Sequence, residues 1–179
     1  MTIQVPVDAM VVLVGPSGSG KSTFAAHHFA PTEILSSDAM RAMVADDPND
    51  QSATEAAFEL LHTTLGLRLA RRRLTVVDAT NVERWARAGL LAIARHRNRP
   101  ATAITFALPV DVCLERNAAR ADRRLPPADI RRHHRLLMSS LDTLAEEGFS
   151  PVYRLDDAAA VEEARVERAP GRRQPQSPA

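Results

Sequence analysis

The stretch from Gly15 to Ser22, Gly-Pro-Ser-Gly-Ser-Gly-Lys-Ser, constrains the fold of this chain more than any other segment. The apolar run Ala9–Val14 ends directly before it and a helix-favouring segment follows, so the motif joins a strand to a helix. The spacing G-x-x-x-x-G-K-S in that setting is the phosphate-binding loop, or P-loop, pattern. Glycines let backbone N–H groups approach a phosphate closely, and the helix N-terminus adds partial positive charge. The motif therefore predicts a nucleotide phosphate site at the edge of an α/β fold.

Lys21 is the only lysine among the 23 lysine and arginine residues. A Gly/Ser-rich turn that matches the motif by chance is the alternative interpretation, and it does not explain a lone lysine in the lysine position. An ammonium is a compact charge that can bridge the β- and γ-phosphates, whereas a guanidinium is broad and planar. We expect Lys21 to contact these phosphates and Ser22 to ligate Mg²⁺. The predicted nucleotide-binding residues of the loop are Gly15, Ser17, Gly18, Ser19, Gly20, Lys21, Ser22 and Thr23.

Short β-branched runs alternate with longer helical stretches along the chain, which is typical of a parallel sheet with helices on both faces. Several prolines fall between these elements, where a missing N–H does least harm. The predicted strands are Met10–Gly15, Ile34–Ser36, Leu74–Asp78, Ala101–Leu108 and Val152–Leu155. The predicted helices are Lys21–Phe29, Ala39–Val44, Ser52–Arg73, Arg84–Arg97, Val110–Ala118, Ala128–Glu146 and Ala158–Arg168.

Composition narrows the class of protein further. A chain of 179 residues with 45% hydrophobic and 25% charged residues is expected to fold as one globular domain. Its single cysteine, Cys113, excludes an intrachain disulfide, and its longest apolar run is far shorter than the roughly 20 residues of a membrane helix. We therefore expect a cytoplasmic protein without a membrane segment. We also expect Trp85 and Cys113 to pack in the interior, and no zinc site at the adjacent histidine pairs.

Two predicted strands end in carboxylates, at the sheet edge where open α/β sheets bind ligands. The second strand runs into Ser36-Ser37-Asp38. Asp38 is a candidate base for the acceptor hydroxyl of a kinase, and the alternative is a helix N-cap. Asp78 ends the third strand and is a candidate Mg²⁺ ligand, directly or through a water, or a residue that positions its loop. No strand ends in the hydrophobic-Asp-Glu pair that is common in motor ATPases.

Arginines are concentrated between Glu115 and Arg135, where seven arginines stand against three acids. Arg116, Arg120 and Arg123 recur at i, i+4 and i+7, a spacing that places them on one helical face. A solvated arginine face is the ordinary alternative. Phosphoryl transfer needs cations over the β- and γ-phosphates, and an arginine-bearing lid supplies them. The segment is therefore predicted to be such a lid.

Six segments, spread over roughly residues 9–168, form a pattern more specific than the P-loop alone. They are GPSGSGKSTFA, PTEILSSDAMR, DDPNDQ, LTVVDATNV, ERNAARADR and EEGFSPVY. Together and in this order they resemble the kinase module of bacterial polynucleotide kinase-phosphatase, an RNA-repair enzyme of the P-loop 5′-OH polynucleotide kinase family. The resemblance implies a kinase-type P-loop fold with the predicted strands in the order 2-3-1-4-5. It also implies transfer of the γ-phosphate of ATP or another NTP, with Mg²⁺, to the 5′-OH end of RNA or DNA.

The resemblance also assigns residues by position. Lys21 and Ser22 match the phosphate and metal residues of the family, and Asp38 matches its general base. Arg41 matches the arginine that holds the phosphate of the acceptor, one helical turn from that base. The lid residues matched to the donor phosphates are Arg116 and Arg123, and Arg120 is matched as well. Proline at position 16 departs from the family pattern and is expected to stiffen the loop.

Residues 1–169 are predicted to form one P-loop kinase domain, and residues 170–179, PGRRQPQSPA, a disordered tail or a linker remnant. The family module heads a longer chain, so phosphatase and ligase-like domains of a parent chain are its expected partners, with a stand-alone kinase as the alternative. Two other functions stay open: a P-loop kinase for a small-molecule hydroxyl, and a nucleotide-gated binding module without turnover. The Asp38-x-x-Arg41 spacing favours the polynucleotide kinase, because a nucleic-acid 5′ end carries a phosphate beside its reactive hydroxyl.

Overall fold

A computed structural model describes residues 1–121 and 124–171 of the protein. Seven strands and eight α-helices lie within these residues. The strands are β1 (Thr2–Pro6), β2 (Met10–Val14), β3 (Ile34–Ser36), β4 (Thr75–Asp78), β5 (Ala101–Phe106), β6 (Val152–Leu155) and β7 (Arg165–Ala169). The helices are α1 (Lys21–His28), α2 (Ser37–Ala45), α3 (Thr54–Ala70), α4 (Arg84–His96), α5 (Val110–Ala119), α6 (Pro127–Ser140), α7 (Leu144–Glu147) and α8 (Ala158–Glu163).

Five of the strands form one parallel sheet in the order β3-β4-β2-β5-β6. In terms of the five strands predicted from the sequence this is 2-3-1-4-5, so the predicted α/β fold and strand order are confirmed. The central strand β2 is buried along its whole length, because parallel strands are covered by helices on both faces. Met10 lies opposite Thr75 of β4 on one side and Ala101 of β5 on the other.

Two hydrophobic clusters cover the two faces of this sheet. One contains Val12 and Val14 of β2 together with leucines of α3 and α4, and the other contains Val11 and Leu13 of β2 with Phe24 of α1. Adjacent strand residues point to opposite faces, which is why neighbouring residues of β2 belong to different clusters. The sheet is thus held between two layers of helices, and its carboxyl edge stays open.

The prediction of a C-terminal helix over Ala158–Arg168 is confirmed up to Glu163 and wrong beyond it. Helix α8 ends at Glu163, and Arg165–Ala169 forms β7, which pairs in parallel with β1 in a separate two-stranded sheet. Side chains of β1 alternate between the interior and solvent, and Ile3 and Val5 are the buried ones. The backbone edge of β1 pairs with β7. The sequence pattern around Arg165–Ala169 favours a helix when it is considered alone. The strand forms because this segment pairs with β1 at the other end of the chain.

The predicted helix Ala128–Glu146 is divided. Helix α6 ends at Ser140, a 3₁₀ turn follows over Leu141–Thr143, and α7 begins at Leu144. The Ser140 hydroxyl donates to the carbonyl of Leu137 at 3.1 Å, and such a bond competes with the helical ladder. Within the described residues, none of the helices combines the length and apolar character needed to cross a bilayer.

Candidate active site

A cavity of about 950 Å³ lies at the carboxyl edge of the five-stranded sheet. The register of the sheet brings residues of the cavity wall together. Asp78 at the end of β4 lies opposite Ser36 at the end of β3 on one side and opposite Leu13 of β2 on the other. The P-loop follows β2 directly, and α2 follows β3. The cavity therefore collects residues from the P-loop, both aspartate-bearing strand ends, the segment after α5 and helices α6 and α8.

The P-loop has the backbone that its glycines allow. Gly18 and Gly20 have φ values of +80° and +94°, which residues with a side chain rarely adopt. A Cβ at Gly18 would also overlap the carbonyl of Cys113 on α5. The Gly15 N–H donates to the carbonyl of Thr80 at 2.9 Å, so the loop is anchored to the segment after β4. The buried Cys113 thus packs against the loop, as predicted for a core residue.

Lys21 is only 7% exposed and lies at the base of the cavity. Its Nζ donates to the carbonyl of Pro16 at 2.8 Å and to the Ser19 hydroxyl at 3.4 Å. Burial lowers the pKa of Lys21, and the nearby carboxylates of Asp78 and Asp38 act in the opposite direction. The ammonium is therefore held inside the P-loop with two carboxylates close to it. An added phosphate would lie against a charge that is already poorly hydrated.

Ser22 and Asp78 lie together beside Lys21. A hydrogen bond from the Ser22 side chain and the charge of Lys21 lower the pKa of Asp78, but burial of the carboxyl outweighs both and raises it. A hydroxyl and a carboxylate are the hard oxygen ligands that Mg²⁺ prefers. Within the described part of the chain, no three or more His, Cys, Asp or Glu side chains are grouped as a metal site. A magnesium ion here would take its other ligands from nucleotide and water.

Asp38 lies in the first turn of α2, but it does not cap the helix. The N-cap is Ser36, whose hydroxyl accepts from the Ala39 N–H at 3.4 Å. This leaves the alternative interpretation of Asp38 as an N-cap wrong. The Asp38 carboxylate instead forms an ion pair with the Arg41 guanidinium one turn later. Arg41 is buried, and its Nε also donates to the carbonyl of Pro48 at 3.0 Å.

The lid prediction is corrected in its geometry. Helix α5 ends at Ala119 and Arg120 has extended backbone angles, so Arg116 and Arg120 do not share a helical face. Both still line the cavity, and the Arg116 guanidinium lies 3.5 Å from the position that a Cβ on Gly20 would occupy. Arg123, the third predicted lid residue, lies outside the described residues.

Two side-chain hydrogen bonds hold the segment that follows α5. Asn117, buried on α5, donates from Nδ2 to the Leu125 carbonyl at 3.0 Å and accepts from the Leu125 N–H at 3.1 Å. Two hydrogen bonds between one amide side chain and one backbone residue fix both ends of the arginine-bearing segment. The pair Pro126-Pro127 then starts α6.

Sequence reasoning missed a buried network of hydrogen bonds that holds the segment after Asp78 in place. Arg87 is completely buried and forms a two-point ion pair with Glu147, at 2.8 and 2.6 Å. Its remaining terminal nitrogen donates to the carbonyls of Asn81 and Val82. Asn81 in turn donates from its side chain to the Leu13 carbonyl at 2.8 Å. The network joins the segment after Asp78 to the strand that carries the P-loop.

Three further groups of cavity residues were also missed. Gln51, Thr54 and Phe58 belong to the wall beside Asp38, and Asp129, Arg132 and His133 come from α6. Two of these residues had a signal in the sequence: Arg132 as part of the arginine-rich segment, and Gln51 as the last residue of the DDPNDQ segment. Ala158, Val161 and Glu162 of α8 close another side.

Comparison with protein families matches the AAA domain family over residues 10–144. Comparison with curated proteins gives no match. Among solved structures, a chain of the Pnkp1/Rnl/Hen1 RNA repair complex is 24% identical with a TM-score of 0.63, over 78% of this chain and 47% of that chain. This protein therefore spans about half the length of that relative.

Two solved kinases match over most of their length. A gluconokinase from Sinorhizobium meliloti 1021 is 23% identical with a TM-score of 0.50, over 89% of this chain and 88% of that chain. A shikimate kinase from Acinetobacter baumannii is 20% identical with a TM-score of 0.53, over 86% and 87%. At these identities the similarity establishes the fold, which is that of P-loop kinases. Because the family match covers well over half of the 179 residues, the chain belongs to the AAA domain family, as a P-loop domain of kinase type.

Proposed function

We propose that this protein is an ATP-dependent polynucleotide kinase, which transfers the γ-phosphate of ATP or another NTP to the 5′-OH end of RNA or DNA. The observation that carries the proposal is the Asp38–Arg41 pair on the cavity wall. A carboxylate that can accept a hydroxyl proton and a guanidinium that can bind a phosphate stand side by side there. A nucleic-acid 5′ end offers the matching groups, a hydroxyl and the phosphate of the same nucleotide.

The Arg41 guanidinium can bind the acceptor phosphate in addition to its contacts within the protein. A guanidinium has five N–H groups, and the contacts to Pro48 and Asp38 leave some of them for a further partner. A buried guanidinium is also poorly hydrated, so a phosphate that reaches it displaces little water. An uncharged small-molecule acceptor gives no use to a buried arginine beside the base, whereas the carboxylate of an acidic one such as gluconate or shikimate could pair with it.

In the proposed reaction the 5′-hydroxyl oxygen forms a bond to the γ-phosphorus while the bond from that phosphorus to the β–γ bridging oxygen breaks. The hydroxyl proton passes to the Asp38 carboxylate, and the nucleoside diphosphate leaves with the electron pair. Lys21, Arg116 and Arg120, which line the cavity, are proposed to stabilise the charge on the transferring phosphoryl group. Arg123 is proposed as a further lid cation from its sequence position. Ser22 and Asp78 would hold Mg²⁺, which neutralises phosphate charge when it is bound.

The similarity to a chain of an RNA repair complex supports the proposed setting, nucleic-acid end repair. The match covers 47% of that chain, so that chain has residues beyond this domain, in agreement with the proposal that phosphatase and ligase-like domains belong to a longer parent protein. We place the kinase domain at residues 1–169 and the reaction in the cytoplasm, both as parts of the same proposal.

The direct test is incubation with Mg²⁺, γ-labelled ATP and a short 5′-OH oligonucleotide of RNA or DNA. We expect label at the 5′ end, and none on an oligonucleotide that already carries a 5′-phosphate. Label that enters a small-molecule pool but no oligonucleotide contradicts the proposal. ATP binding without transfer to any acceptor would instead indicate a nucleotide-gated binding module.

A small-molecule kinase is the second candidate, because the gluconokinase and shikimate kinase are covered over 88% and 87% of their chains, against 47% for the RNA repair chain. A competition assay separates the two. Gluconate and shikimate are added to the oligonucleotide reaction, and phosphorylated products are identified by mass spectrometry. Preferential phosphorylation of either small molecule would favour this candidate.

A further inference from the structure

Helices α3 and α4 run side by side in the same direction, since both begin at the carboxyl edge of the sheet. A Cβ at Gly89 of α4 would lie 3.8 Å from the His62 ring of α3, and a Cβ at Gly66 of α3 would lie 3.8 Å from Ile93 of α4. The two contacts are four residues apart on both helices, which is about one turn. One turn nearer the carboxyl edge, this register places Phe58 level with residue 85.

Phe58 lines the same cavity as Asp38, and its ring centroid lies 6.1 Å from that of His62. Trp85, in the first turn of α4, is 76% exposed, and the expectation that it packs in the interior is wrong. An indole left this far in water gives up most of the stabilisation that its burial would provide. The half-buried Phe58 thus lines the cavity, and the exposed Trp85 lies level with it on the neighbouring helix.

Charged residues flank Trp85 on its own helix. Glu83, two residues before it, forms an ion pair with Arg132 at 2.7 Å, so its negative charge is compensated. Arg132 also belongs to the cavity wall, and Arg84, which lies between Glu83 and Trp85 in the sequence, is exposed. Exposed aromatic rings interleaved with arginines are the arrangement by which proteins bind single-stranded nucleic acid: bases stack on the rings while guanidinium groups hold the backbone.

We propose that Trp85, with Phe58 behind it, is a stacking surface for the bases that follow the 5′ nucleotide of the acceptor strand. This inference rests on the proposed polynucleotide kinase function and deepens it. The 5′ nucleotide lies at Asp38 and Arg41, and the next bases leave the cavity past Phe58 and stack on the exposed indole. A longer acceptor therefore binds more tightly than a single nucleotide, whatever its base sequence.

The chain contains one tryptophan, so its intrinsic fluorescence reports on Trp85 alone. We expect quenching when a 5′-OH ten-nucleotide strand is titrated into the wild-type protein. We expect much less quenching with a nucleoside 3′-phosphate, which ends before the proposed surface. Equal quenching by both ligands would overturn the stacking of following bases.

Steady-state kinetics provide the second measurement. Trp85→Ala should raise KM for the ten-nucleotide acceptor about tenfold, from the loss of one stacked base, and leave KM for the nucleoside 3′-phosphate unchanged. Trp85→Phe keeps an aromatic face and should restore most of the affinity. The matched control is Leu67→Ala: Leu67 is 60% exposed on α3, beyond Gly66 and away from the carboxyl edge, and its loss should change neither KM.

The two proposals fail in different ways. If wild-type protein phosphorylates oligonucleotides and Trp85→Ala does so with unchanged KM, the stacking surface is wrong and the polynucleotide kinase function stands. If the wild-type protein labels no oligonucleotide, the function is wrong and the stacking surface is overturned with it.

Discussion

Arg41 ties Asp38 to the interior of the protein. The ion pair joins residues three apart on α2, and the same guanidinium donates to the carbonyl of Pro48 beyond the end of that helix. The Asp38 side chain keeps 42% of its surface exposed while Arg41 is buried. The proposed base Asp38 is thus held in place by Arg41 and lines the cavity. Sequence analysis had assigned these two residues to separate tasks.

Asp38→Asn keeps the size of the side chain and removes the base. We expect kcat to fall roughly 100-fold or more with little change in ATP affinity, because proton transfer is lost and the P-loop is untouched. Since Ser36 caps the helix, the melting temperature should stay close to that of the wild type. Loss of the cap itself in Ser36→Ala should lower the melting temperature instead. A folded Asp38→Asn protein with normal kcat would place the base elsewhere.

Arg41→Ala is expected to show two separate defects. KM for a 5′-OH oligonucleotide should rise about tenfold from the lost phosphate contact, and this effect should vanish with a bare nucleoside as acceptor. The decrease in kcat should persist on both acceptors, because Asp38 loses the partner that orients it. Initial rates over a range of both acceptors separate the two effects. A normal kcat on the nucleoside would show that Asp38 keeps its position without Arg41.

Lys21→Arg should be nearly as inactive as Lys21→Ala, with at least about 100-fold loss of kcat. The ammonium is enclosed by the P-loop, where it donates to Pro16 and Ser19, and a guanidinium is too broad for that position. Single-turnover phosphoryl transfer is the measurement. Near-normal turnover by the arginine variant would mean that the lone lysine is retained for another reason.

The sequence could predict the features that depend on local pattern. The P-loop, the five strands of the main sheet and the aspartates at their ends follow from motif spacing and from runs of apolar residues, and strand order followed from the resemblance. The pairing of β1 with β7 joins residues more than 150 positions apart, and the Arg87–Glu147 pair joins residues 60 apart. Such contacts leave no periodic signal in the chain.

For Trp85 and Arg120, the local sequence pattern led to a prediction that the structure contradicts. An aromatic residue in a helix is usually packed against its neighbours, but α4 presents position 85 to solvent, where Trp85 is 76% exposed. The i, i+4, i+7 spacing places the arginines on one face only if α5 continues through them. Helix α5 ends at Ala119, and the Asn117–Leu125 hydrogen bonds hold the segment that follows.

Arg116→Ala should lower kcat at least tenfold without unfolding the protein. The guanidinium lies over Gly20 of the P-loop, so its loss removes positive charge from the donor phosphates. The matched control is Arg131→Ala, an exposed arginine of α6, which should change neither kcat nor stability. Thermal melts and kcat for ATP report the two effects. Equal kinetics in both variants would make the arginine-rich segment a solvated surface.

Asp78→Asn should stabilise the fold while it weakens catalysis. Burial raises the pKa of the Asp78 carboxyl even against Lys21 and Ser22, so the ionised form is less favourable in the folded protein than in the unfolded one. The free energy of unfolding therefore loses this contribution as the pH rises through the folded-state pKa, and the full loss is present above that pKa. Asparagine keeps the shape without the charge. We expect a higher melting temperature than wild type at pH 7, and a difference that shrinks as the pH falls towards the unfolded-state pKa.

Catalysis by Asp78→Asn should change in the opposite direction, because a carboxylate ligand for Mg²⁺ is replaced by an amide. We expect the Mg²⁺ concentration for half-maximal activity to rise about tenfold or more. Glu59→Gln, which removes an exposed carboxylate of α3, controls for the loss of one negative charge and should change neither property. A lower melting temperature for Asp78→Asn at pH 7 would mean that attraction to Lys21 outweighs burial. An unchanged Mg²⁺ requirement would leave Asp78 as a residue that only positions the segment joined to Gly15 and Arg87.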